Sequence, residues 1–225
     1  MMCGRYLFTI SISEMIKIIK EKWHQEVIYE SEINKDYNIA PSKKAPILYH
    51  SNKSLLLQDM TWGLKPPWKN NGQLVINARI ETIKNKPMFK DAYQSRRCLV
   101  LSSGFYEWHH QTKQPYLFTF TNRPYIAFAG IWNKDHVDGT NHYAILTTPS
   151  NGTLSNIHHR MPLILDQSVE RDWIMGENPD KIIQRQRVKE MLLTRKAVST
   201  YVNSVSNNGP RCIESGREQM SFFIE

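Results

Sequence analysis

Cysteine is scarce in this sequence, and none of the arrangements through which it usually shapes a fold is present. Only Cys3, Cys98 and Cys212 occur in 225 residues. An odd number without CxxC spacing excludes a disulfide framework and a thiolate zinc site, and it fits a reducing cytoplasm. No apolar run approaches the ~20 residues that span a bilayer, and no basic stretch followed by an apolar one marks a secretory leader. These absences predict a cytoplasmic protein without a membrane partner. Also missing are a fixed-period repeat, a low-complexity tract and a Gly/Ser-rich or Pro-rich linker between two halves of different composition. Histidine never recurs at i, i+4. His109–His110 and His158–His159 are adjacent pairs, whose side chains would diverge on a strand, so a metal enzyme is the weakest reading.

What is present is ordinary globular material, 40% hydrophobic and 22% charged. The length suffices for one substantial core, and a single domain over 1–225 is expected. Lysine and arginine number 29 against 21 acidic residues, a net +8. That excess suits a polyanionic partner, although basic soluble proteins that bind no polyanion are also common.

Ser11 and Glu14 have capping-box spacing, and Met15, Ile18, Ile19 and Trp23 recur at helical period, predicting an amphipathic helix over 13–23. The centre of the chain carries short apolar or alternating runs bounded by turn residues: APILYH at 45, LLLQDM at 55, RCLVL at 97, YLFTF at 116, YIAFAGIW at 125 and YAILTT at 143. These predict strands. Asn178 and Pro179 make a cap and first-turn pair for a second helix with Ile182, Ile183, Met191 and Leu192 on its apolar side. Central strands with helices at the two ends predict an α+β fold, a mainly antiparallel or mixed twisted sheet or barrel-like core flanked by helices.

Four strings place polar groups where a strand or tight turn would present them: MCGRY at 2, NARIET at 77, GFYEW at 104 and HHRMP at 158. Glu107, between Tyr106 and Trp108, reads either as a solvated edge-strand carboxylate or as an inward one whose pKa burial would raise. Asn77 and Arg79 share a strand face. The arginine is either a plain surface charge or a phosphate contact. His158 and His159 precede Arg160 in a turn ended by Pro162, suited to structure, anion holding or proton transfer.

Taken together and in this order, these strings resemble the SRAP family, the SOS response-associated peptidase domain whose members crosslink to abasic sites in DNA. YNIAPS at 37, WGLKPPW at 62, KPMF at 86, LTTPSN at 146 and VSTYVNSV at 198 extend the resemblance over essentially the whole chain. In that family the catalytic cysteine is the first residue of the mature protein, which here implies Cys3. An α-amine of pKa near 7.7–8.0 is roughly 10–15% neutral at pH 7, against well under 0.1% of a lysine. It can attack the aldehyde of an opened abasic sugar to give an imine. The thiol of the same residue then closes a five-membered thiazolidine in an intramolecular step. Both groups must be free, and Cys3 stands behind Met1 and Met2. Translation from Met2 followed by removal of that methionine is the expected route to exposing it.

The resemblance also implies Glu107 as the carboxylate that moves protons, Asn77 as the residue that positions the N-terminus or sugar, and His158, ahead of His159, as a proton donor or acceptor. It implies Arg5, Arg79 and Arg160 as contacts to flanking phosphates. Pro41 and Trp68 would shape the DNA channel, whereas Trp62 and Trp132, inside apolar runs, read as core. No metal or cofactor is called for. The expected partner is single-stranded DNA containing abasic sites, bound by a monomer, with associated lyase activity. Two other readings stay open: a cysteine peptidase acting on its own N-terminus, with Cys3 as nucleophile and His158 as base, and a DNA-binding module without chemistry.

Overall fold

A computed structural model of the chain describes residues 3–30, 32, 34–66, 74–176, 178–185 and 193–216. The strands are β1 (Tyr6–Phe8), β2 (Val27–Glu30), β3 (Asp36–Ile39), β4 (Lys44–Ser51), β5 (Ser54–Trp62), β6 (Asn77–Arg79), β7 (Arg97–Ser102), β8 (Gly104–Trp108), β9 (Pro115–Phe120), β10 (Ile126–Lys134), β11 (Asn141–Pro149), β12 (Arg160–Pro162) and β13 (Leu193–Ala197). The helices are α1 (Ile12–Trp23), α2 (Pro87–Ser95), α3 (Glu170–Met175) and α4 (Pro179–Arg185). The fold is α+β, and each apolar run read as a strand is one. None of the described helices is long and apolar enough to cross a membrane.

Two sheets result. The smaller is wholly antiparallel, in the order β13-β9-β8-β1-β3. The larger runs β12-β11-β10-β7-β4-β5-β2, with β6 added in parallel beside β11. A short parallel pairing of His142 with Thr61 and Tyr143 with Trp62 joins β11 back to β5, so β11, β10, β7, β4 and β5 form a closed ring of strands. Closure removes edges that would otherwise expose unpaired backbone groups. Phe128 on β10 meets Tyr6 on β1 and Phe105 on β8 edge-on, with ring centroids 6.0 and 5.8 Å apart. The Tyr6 and Tyr143 hydroxyls meet at 2.6 Å in full burial. The smaller sheet is thus fastened to the barrel by apolar packing plus one satisfied polar pair.

At the start of α1, Ser11 Oγ accepts the Glu14 N–H at 3.2 Å, a side-chain cap for one of the orphan donors of the first turn. Met15, Ile16, Ile19 and Trp23 face the core. Ile18 lies at the margin of that face and Ile16 takes the deeper place. Lys22 at the far end of α1 and Tyr125 both donate to Glu170 Oε2 at 2.7 Å, which ties α1 to α3. At α4, Asn178 Oδ1 accepts the Asp180 N–H at 2.9 Å, as its sequence position predicts. Met191 and Leu192 lie outside the described residues. Beyond the helices expected at the two ends, α2 interrupts the strands, with Pro87 in its first turn and Phe89, Ala92 and Tyr93 buried.

Candidate active site

Strands β1 and β8 run antiparallel with Tyr6 opposite Phe105 and Leu7 opposite Gly104, and the Tyr106 N–H donates to the Arg5 carbonyl. Continuing that register brings the residues ahead of β1 alongside the end of β8. There the Cys3 backbone N–H donates to Glu107 Oε2 at 3.1 Å. β8 is flanked by β1 and β9, so Glu107 is no edge residue, and its side chain is 1% exposed. Burial raises its pKa from the usual 4.5 to about 7, although the hydrogen bonds from the Cys3 and Trp108 N–H groups pull the other way. A carboxyl so tuned can both accept and donate a proton at neutral pH.

Cys3 is itself buried. Desolvation first, and the Glu107 carboxylate second, push its thiol well above the usual cysteine range. Its φ of 42° lies in the left-handed region, which a non-glycine residue occupies at a cost of roughly 1–2 kcal/mol.

The second wall of the site comes from the loop before β12. The His158 N–H donates to the Leu154 carbonyl, and the His110 N–H donates to the Ile157 carbonyl at 3.2 Å. This last bond draws the β8–β9 turn against the loop that carries His158. Between them opens a cleft of about 390 Å³ lined by Glu107, Trp108, His109, His110, Lys113 and His158, with Gly4, Arg5 and Asn203 at its N-terminal side. His158 Nδ1 is held at the backbone of Arg160, 3.1 Å from its N–H nitrogen and 3.3 Å from its carbonyl oxygen. Burial, then the adjacent His159, lowers the His158 pKa and so favours the neutral ring.

The histidine pairs do not diverge, contrary to the reading that placed them on strands. His109 and His110 lie with ring centroids 4.9 Å apart, and His158 and His159 4.4 Å apart, each pair at 26°. The pairs fall in turns, where successive side chains need not alternate. His158 is half-buried and His159 exposed.

Asn77 and Arg79 sit on β6, in parallel register with Ile145 and Thr147 of β11. On the other side of β11, Pro149 faces Arg160 of β12. One strand therefore carries the NARIET and HHRMP segments on its two flanks. Arg79 is exposed. Arg160 is 8% exposed, and its fork is engaged inside the protein, with Nη1 donating to Glu81 Oε1 at 2.7 Å and Nη2 to Glu81 Oε2 at 3.0 Å and to the Thr147 carbonyl at 2.7 Å. Arg5 is engaged too, with Nη1 at 2.7 Å from Asn38 Oδ1 and 2.8 Å from the Val202 carbonyl. Pro41 lies half-exposed in the turn between β3 and β4, where Ser42 has φ 71°. Trp68 is outside the described residues. Trp62 is fully buried, stacked on Tyr143 with its Nε1 donating to the Ile76 carbonyl, and Trp132 packs on Tyr49.

Glu81, Asn38 and Asn203 were not assigned by sequence reasoning. Each belongs to a string that carried the family resemblance, so the signal was present, but a polar residue within such a string does not say which distant group it binds.

The family described as SOS response associated peptidase (SRAP) matches residues 2–205. The abasic site processing protein YoqW of Bacillus subtilis is 34% identical over 228 residues, covering 95% of this chain and 100% of YoqW. The abasic site processing protein YedK of Escherichia coli is 28% identical over 221 residues, covering 95% and 99%. The abasic site processing protein HMCES of Xenopus tropicalis is 29% identical over 260 residues, covering 94% of this chain and 78% of HMCES. A crystal structure of a Bacteroides thetaiotaomicron protein superposes with a TM-score of 0.78 at 22% identity, covering 96% and 100%, a likeness of fold. Cys3, Glu107 and His158 meet at the cleft, whereas Asn77 and Arg79 are not among its lining residues. With the family match running through all four strings, the chain belongs to the SRAP family.

Proposed function

We propose that the protein captures abasic sites in single-stranded DNA as a covalent thiazolidine formed by Cys3, and so shields the lesion. The observation that carries this reading is the 3.1 Å contact between the Cys3 nitrogen and the Glu107 carboxylate. It puts a carboxyl of pKa about 7 against the nitrogen that must lose a proton.

With residue 2 removed, that nitrogen is an α-amine. Glu107 accepts a proton from its ammonium form, the free amine attacks the sugar C1′ aldehyde, and the carbinolamine loses water as Glu107 returns the proton. The Cys3 sulfur then adds to the imine carbon and its proton passes to a base, so one water leaves per adduct formed. Ring closure needs no preformed thiolate, since sulfur and imine carbon belong to one small ring. His158, which lines the same cleft, is read as the relay that takes up a proton, passes it to the ring oxygen or hydroxyl of the sugar, and accepts it again on reversal. Removal of the preceding residue also abolishes the φ torsion that is strained at Cys3.

The same electrostatics weigh against a peptidase. A nucleophilic cysteine of that class is activated by a lowered pKa, whereas Cys3 is pushed up. Of the three arginines, Arg79 is the one whose exposure suits a phosphate contact.

Incubating the protein with an oligonucleotide that carries one abasic site, followed by a denaturing gel, tests this. A slow band that survives denaturation, disappears in Cys3→Ala and depends on a methionine-free N-terminus supports it. Salt-sensitive native shifts with no such band would leave a non-covalent DNA-binding module.

A further inference from the structure

Two strings, YNIAPS at 37–42 and VSTYVNSV at 198–205, take no part in the chemistry just described, yet both meet at one side chain. Arg5 stands two residues from Cys3. Its guanidinium donates to Asn38 Oδ1 at 2.7 Å, to the Val202 carbonyl at 2.8 Å and, weakly, to the Asn203 carbonyl at 3.5 Å, and it lies 5.7 Å over the Trp108 ring. Asn38 is fully buried and donates to the carbonyls of Ser204 at 2.9 Å and Asn207 at 2.7 Å. Trp108 Nε1 donates to Asn203 Oδ1 at 2.8 Å. The backbone of β1, the end of β8 and the segment after β13 are thereby joined through one guanidinium. Such a planar multi-donor fork holds several acceptors at fixed angles, and a lysine cannot.

We propose that Arg5 is a positioning residue, which with Asn38 and the Val202 and Asn203 carbonyls clasps the N-terminal strand so that the Cys3 nitrogen stays on Glu107, and that it does this instead of binding a DNA phosphate. The inference rests on the crosslinking reading above. Cys3 lies three residues ahead of β1 and becomes a chain end once residue 2 is removed, and chain ends fray unless tied down. Displacing a reacting group by about 1 Å is enough to cost on the order of 100-fold in rate.

The test separates binding from chemistry in Arg5→Gln. Binding is read with a single-stranded oligonucleotide that carries a tetrahydrofuran abasic analogue, which has no aldehyde. Chemistry is read as the crosslinking rate at saturating abasic DNA. The expected result is a rate about ten-fold or more lower, with affinity within about two-fold of wild type and an unchanged salt slope. The pH midpoint of the rate should also move upward, because the Cys3 N–H no longer steadily stabilises the Glu107 carboxylate, a change that a general loss of stability would not produce.

Affinity falling in step with rate, with a shallower salt slope, would make Arg5 a phosphate contact and overturn the proposal. So would an unchanged rate. If circular dichroism shows that Arg5→Gln does not fold, Arg5→Lys decides: kept affinity with a lost rate supports the clasp, and wild-type behaviour in both, or lost affinity, refutes it. Failure of the wild type itself to form a denaturation-resistant band would refute the crosslinking reading, separately from the clasp.

Discussion

At the scale of single residues, Glu107 concentrates the argument. Its sequence neighbours, Tyr106 and Trp108, allowed either face of the strand. What decides the matter is that β8 lies between β1 and β9 and that the residues ahead of β1 bring the Cys3 N–H onto the buried carboxylate, facts about distant segments that no local pattern contains. The buried carboxyl has a pKa near 7 against the usual 4.5, so the folded state holds a proton that the unfolded chain releases. Its favourable contribution is complete below about pH 4.5 and is lost as pH rises toward 7. Glu107→Gln should therefore gain stability relative to wild type over this interval, by about 3 kcal/mol at its upper end. Denaturant midpoints measured at pH 4.5 and pH 7.5 check this, and parallel curves for the two proteins would contradict it. The same variant should crosslink at least about 100-fold more slowly, since it lacks a group that exchanges protons. His158→Ala should leave binding to the tetrahydrofuran analogue intact and reduce the crosslinking rate by a comparable factor, as read on the same gel.

Among elements, β11 organises the barrel side of the site by pairing with β6 on one flank and β12 on the other. The apolar runs at 45, 55, 97, 116, 125 and 143 were legible because alternation and β-branched residues mark strands wherever they go. Helix α2 was not, since KPMFKDAYQS is too short and polar to show a period, and packing of Phe89 and Tyr93 makes it a helix. The 2.7 and 3.0 Å pair of bonds from Arg160 to Glu81 fastens β12 to the turn after β6. Burial alone would raise the Glu81 pKa, but the Arg160 hydrogen bond and charge hold it below the usual value. The pair's contribution is thus present above the unfolded pKa and disappears as pH falls through the folded one. Glu81 is 40% exposed in its side chain, so solvent screens the pair. Glu81→Ala should cost about 1 kcal/mol at pH 7 and progressively less in acid, a difference that thermal melts at pH 7 and pH 3.5 would reveal. Because Arg160 supplies the N–H that orients His158, the variant should also slow crosslinking, and a normal rate would mean that β12 is held by its backbone pairing alone.

For the molecule as a whole, the mixed sheet or barrel-like core was readable from the order of strands, but its division into a closed ring and a separate five-stranded sheet was not. That division depends on β1 choosing β3 and β8 as neighbours and on the two-residue contact between β5 and β11, both long-range choices. The net charge of +8 is likewise a property of the whole, and it counts toward DNA binding only where the cations are free to replace counterions. Each phosphate neutralised on a single strand contributes about −0.7 to the slope of log affinity against log salt. Arg79 is exposed, whereas the Arg160 fork is already occupied by Glu81 and Thr147. Arg79→Ala should accordingly weaken binding of the tetrahydrofuran oligonucleotide and make the slope shallower by about 0.7. Arg160→Gln, assayed in its folded form, should leave that slope unchanged while lowering stability and crosslinking rate. Equal slope changes in the two variants would mean that DNA draws Arg160 away from Glu81 on binding. The interior pairing seen in the free protein would then be an exchange partner for phosphate.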